Sequence, residues 1–120
     1  MSIREILLWL EQCPVLQGEK INWSFLPGYR GWSLTVPKAE TKTDILGNSH
    51  SVRQLKITRR ISIQSNADRL AAAETLEELA AWARDNPPPS TGLRVSGLPE
   101  FTARNNSGTE DISITLTLRE

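Results

Sequence analysis

The chain alternates between two hydrophobic rhythms. Ser2 with Glu5 forms a capping-box pattern that starts a helix, and Ile3, Ile6, Leu7 and Leu10 then recur at helical spacing as one stripe for burial. Cys13 falls near the same stripe and reads as a small core residue, and Pro14 ends the helix. Leu8 points nearly opposite the stripe and Trp9 sits at its edge. From Ile21 the period changes to two. Ile21, Trp23 and Phe25 alternate, then Trp32, Leu34 and Val36, with the turn PGYRG between the runs and Pro37 as a stop. Residues 38–51 are polar around a Gly47-Asn48 turn signal and read as a hairpin tip or a mobile arm. A long strand follows over 52–64. In it Leu55, Ile57, Ile61 and Ile63 share one face, and the middle position of that face is Arg59.

Asn66 reads as the cap of a second helix, rich in Ala, Leu and Glu. Its buried stripe is Ala72, Leu76, Leu79, Ala80 and Ala83, bordered by Trp82, and Pro87, Pro88 and Pro89 end it. LRVSGL reads as a short strand and FTARNNSGTED as a turn-rich link. The closing ISITLTLR places Ile112, Ile114, Leu116 and Leu118 on one face. This pattern predicts one α+β domain over 1–120: a mostly antiparallel sheet of four to five strands with two helices on one face, in the order α-β-β-β-α-β-β.

Fourteen basic residues balance fourteen acidic ones, which gives no general drive toward nucleic acid or anionic lipid. No segment approaches the roughly 20 apolar residues of a membrane span. The charges inside MSIREILLWLEQ do not fit a signal peptide, and a single cysteine supports neither a disulfide framework nor a multi-cysteine zinc site; a reducing cytoplasm fits. His50, the sole histidine, falls in a predicted turn with no second histidine, cysteine or spaced carboxylate pair near it in sequence. No phosphate-binding or nucleophile-elbow motif is present. The expectation is therefore a non-enzyme without cofactor, metal or catalytic residues. Four tryptophans are many for 120 residues. Trp23 and Trp82 read as core, while Trp9 and Trp32 stand open to either core or interface. A buried, unpaired Arg59 is too costly to survive. It can pair with Glu74, Glu77 or Glu78 of the covering helix, meet a carboxylate of another subunit at an open edge, or twist toward solvent.

Four stretches together resemble the small tail-terminator (tail-completion, or minor capsid) proteins of long-tailed bacteriophages and prophages. MSIREILLWLEQCPVL is similar to the family's opening helix. DILGNSHSVRQLKIT resembles its polar loop, turn and Arg-Gln start of the long central strand. LEELAAWARDN looks like its second helix, and EDISITLTLRE like its closing strand. Arg59-Arg60 stand where the family often has aromatics, and the 87–109 segment is compact. The resemblance implies a homo-oligomeric ring, usually a hexamer, that caps the tail tube, ends its polymerisation and meets the head-tail connector. Such a protein is made in the bacterial host cytoplasm and located at the head-proximal end of the virion tail, with no membrane or sequence-specific nucleic-acid partner. A head-tail connector or other minor virion protein is the neighbouring reading; a small ligand-binding protein or enzyme is the reading of another class. Candidate subunit contacts are Leu8, Trp9, Trp32, Ile45, Leu46, Arg53 and Arg59.

Overall fold

The computed structural model describes residues 1–24, 26, 28, 30–105 and 108–120. Helix α1 spans Ile3–Leu10. The Ser2 hydroxyl accepts the Glu5 N–H at 3.1 Å and the Glu5 carboxylate accepts the Ser2 N–H at 3.3 Å, so the capping box is closed. A single 3-10 turn over Pro14–Leu16 follows and buries Leu16. Five strands then form one sheet: β1 (Ile21–Trp23), β2 (Gly31–Thr43), β3 (Ser49–Ser62), β4 (Gly92–Arg104) and β5 (Thr109–Arg119). Helix α2 (Asn66–Asp85) lies between β3 and β4 in the chain. Ser65, not Asn66, caps α2: its hydroxyl accepts the Asp68 N–H.

The sheet order is β1-β2-β3-β5-β4 and the sheet is mixed. β1 pairs with β2 in parallel, Ile21 beside Trp32 and Trp23 beside Leu34, rather than as the two arms of a hairpin. The other three pairings are antiparallel. β3 and β4 both run antiparallel to β5, hence parallel to each other, so β3-α2-β4 is a split βαβ unit with β5 inserted.

Two sequence expectations are corrected along the strands. β2 does not stop at Pro37. One extra residue between Thr35 and Lys38 forms a bulge that absorbs the proline, which has no N–H to donate, and the strand continues to Thr43. FTAR is not a link but the second half of β4, which pairs with β5 past irregularities at 96–100 and 101–103 and leaves the turn to the residues beyond Arg104. Phe25 and Pro27, read as strand and turn, lie outside the described residues.

One core joins the helices to a single sheet face. Ile6 and Leu10 of α1, Leu76, Leu79 and Ala83 of α2, and Trp32, Leu34, Leu55, Ile57, Ile112, Ile114, Leu116 and Leu118 of the sheet belong to the same buried cluster. All five stripe residues of α2 are buried. The opposite sheet face, built from the alternate positions, is covered by neither helix.

Candidate interaction surface

Arg59 keeps its place on the core face. Its cross-strand neighbours are Trp32 and Ile112, both at most 1% exposed. The guanidinium carbon lies 5.1 Å from the centre of the Trp32 ring, and the side chain is half-buried. Trp32 is fixed from below: its indole N–H donates to a Glu19 oxygen at 2.9 Å, and the other Glu19 oxygen meets Arg30 at 3.2 Å. Burial pulls the Arg59 pKa down; Glu19 opposes that shift and Arg30 adds to it. The group stays charged regardless, as arginine does in proteins. Among the described residues Arg59 forms no ion pair, so the expected pairing with Glu74, Glu77 or Glu78 is not made. Stacking on an electron-rich indole face takes its place. The head opens into a cleft of about 320 Å³ whose walls include Glu19, Arg30, Thr75 and Glu78. Arg59→Met keeps the stem over Trp32, removes the charge and relieves its desolvation. Urea unfolding is expected to move by no more than about 1 kcal/mol, and a loss above about 2 kcal/mol would mean that the guanidinium is held by more than the ring.

The second feature is the end of the β2–β3 ladder. Pairing of β3 with β5 ends at Val52–Arg119, whereas pairing of β2 with β3 continues to Thr43–Ser49. Apart from the Glu120 N–H that donates to the Ser51 carbonyl at 2.8 Å, residues 41–51 therefore form a two-stranded arm with no third strand beside it. At the tip, the Asp44 carboxylate accepts the N–H groups of Leu46 and Asn48, both at 2.9 Å, and Gly47 adopts a positive φ of 85°. The Gly47 N–H donates to the Asp44 carbonyl at 3.0 Å, so the turn closes on a glycine in the left-handed region, as tight hairpins favour. It lifts Ile45 and Leu46 into solvent at 100% and 82% exposure. His50 lies in the strand beside Lys42, not in the turn.

The remaining candidates separate by burial. Leu8 is exposed on α1 at 57%. Trp9 is buried: it stacks on Trp82 with ring centres 5.7 Å apart and donates its indole N–H to the Asn86 carbonyl at 2.8 Å. Trp9 and Trp32 are thus core residues and do not present a contact surface. Trp23, read as core, is 47% exposed at the end of the short edge strand. Arg53 is held at 3.0 Å by Glu120 and donates to the Met1 carbonyl, so it ties β3 to the chain ends. Leu8, Ile45 and Leu46 remain as accessible apolar candidates. Two further exposed leucines were not foreseen. Leu70 sits opposite the buried stripe of α2, which its spacing from Leu76 and Ala80 could have told. Leu98 stands in the β4 irregularity, for which the Gly97 and Pro99 on either side were the local sign.

Buried charge elsewhere is paired. Arg60 meets Asp111 on the uncovered face in two parallel bonds of 2.7 and 3.0 Å, which raises the arginine pKa. Glu110, on the helix side, accepts from Arg69, whose guanidinium lies 4.2 Å from the Phe101 ring centre, and Arg104 stands 3.5 Å away. Cys13 is buried in the core, and desolvation pushes its thiol up, away from the reactive thiolate. Among the described residues no group of three His, Cys, Asp or Glu side chains could hold a metal, and no helix is long and apolar enough to cross a membrane. No protein-family model and no curated protein sequence matches the chain.

Proposed function

We propose that the chain is a structural assembly subunit of a long-tailed phage: a tail terminator that forms a ring, the hexamer implied by the sequence resemblance, caps the tail tube, ends its polymerisation and joins it to the head connector. In this reading it is a non-enzyme, needs no cofactor, and works at the head-proximal end of the virion tail after synthesis in the host cytoplasm. The observation that carries the reading is the unsupported arm. An isolated two-stranded hairpin is at best marginally stable in water, and this one ends in two fully presented apolar side chains that the chain itself does not cover. Such an element suits a partner that completes it.

Hydrogen exchange tests this. In dilute wild-type protein the amides of residues 41–51 are expected to exchange rapidly, and in the assembled ring with tail-tube protein they should slow by at least about tenfold, as an ordered segment does. Strong protection of the arm in a dilute monomer would contradict the reading.

A further inference from the structure

We propose, building on the assembly reading above, that the uncovered sheet face of one copy docks on the outward face of α2 of the next copy, head to tail. Net charge is zero, yet among the described residues the sheet face carries an excess of unpaired cations and α2 a group of unpaired glutamates, with Arg4 and Arg84 as the unpaired cations on the helix side. On the uncovered face stand Lys42, Lys56, Arg94 and Arg119, with Val52 and Thr117 at positions of the same parity; Glu100 is the one unpaired acid there among the described residues. On α2, Glu74, Glu77 and Glu78 are exposed; Glu74 and Glu77 lie on the outward side with Leu70 beside them, and Glu78 borders the Arg59 cleft. None of those cations and none of those three glutamates has an ion-pair partner among the described residues.

The shape of the sheet face suits a helix. Its centre is made of short side chains already bonded to each other: Thr58 to Ser113 at 2.8 Å, and Ser96 to Thr117 at 3.2 Å. Lys56 rises from the central strand beside them, and Arg94 and Arg119 stand on the β5–β4 side. Two different faces of one chain that complement each other make a heterologous contact, which gives a ring where the rotation closes. Nucleic acid would also answer to cations, but an equal acidic face on the same chain favours a second copy.

Charge reversal separates the possibilities. One variant reverses the sheet (Lys56→Glu with Arg94→Glu), with Arg94→Glu plus Arg119→Glu as its substitute should half-buried Lys56 prove intolerant. The other reverses the helix (Glu74→Lys with Glu77→Lys). Like charges facing one another across an interface cost several kcal/mol, so each variant alone is expected to associate at least about 100-fold more weakly than wild type. An equimolar mixture should recover to within about tenfold of wild type, because each reversed face then meets its complement in the other variant. Sedimentation at low salt reads both, with melting curves to confirm folded monomers. Variants that assemble like wild type, or a mixture that stays dissociated, overturn the docking faces and leave the assembly reading intact. A wild-type chain that stays monomeric with and without tail-tube protein overturns both, and one that instead binds duplex DNA through these cations does so too.

Discussion

Replacing Trp32 with alanine is expected to remove about 3–5 kcal/mol of unfolding free energy, the cost of emptying a large aromatic site in a packed core. Trp32 is 1% exposed and belongs to the cluster shared by both helices and the sheet. It also floors Arg59 at 5.1 Å and donates to Glu19 at 2.9 Å, so truncation leaves a half-buried cation without its ring. Against a typical total of about 5–15 kcal/mol, the loss threatens folding itself. Trp32→Phe retains an aromatic face and drops the N–H, and should cost less, about 1–3 kcal/mol. Urea titration of the three proteins checks the order. A Trp32→Ala loss under about 1 kcal/mol, the range of ordinary substitutions, would contradict the packing described.

Leu79→Ala should cost about 2–5 kcal/mol. Leu79 is fully buried at the middle of the α2 stripe, where the helix crosses the sheet. Leu70→Ala, on the same helix but 57% exposed, is the matched control and should stay within about 0.5 kcal/mol. A Leu79→Ala loss as small as the control's would sink this arrangement of helix and sheet.

What the sequence disclosed was local. The Ser2–Glu5 box is a contact over three residues, the α2 stripe repeats within one helix, and the alternation of β5 lies in eight consecutive residues; each is visible without knowing what lies opposite. What stayed hidden depends on neighbours distant in the chain. Trp9, open between core and interface in the sequence, is core because it meets Trp82 from α2, whereas Trp23, read as core, is exposed because it ends an edge strand with little beside it. The parallel pairing of β1 carries no local sign, since a turn signal reports a change of direction and not which strand is met next. Pro37 looked like a stop because a proline in a strand is tolerated mainly at a bulge, and the bulge is a property of the β2–β3 register. Arg59 was placed on the correct face by parity alone. Its partner was not, for the indole beneath it comes from the strand opposite. Of the candidate surface, the arm and its Ile45-Leu46 tip were legible as a polar stretch around a turn, while the charge division between the two sides required the sheet order.

The ring-forming assembly role of this chain is proposed above. Its most direct test is the mass in solution, read by light scattering behind size exclusion over a range of concentrations, alone and with tail-tube protein. The expected result is a closed species whose mass is a fixed multiple of the 13.4 kDa chain, present alone or appearing sharply when tail-tube protein is added. A constant mass of 13.4 kDa under every condition would contradict it.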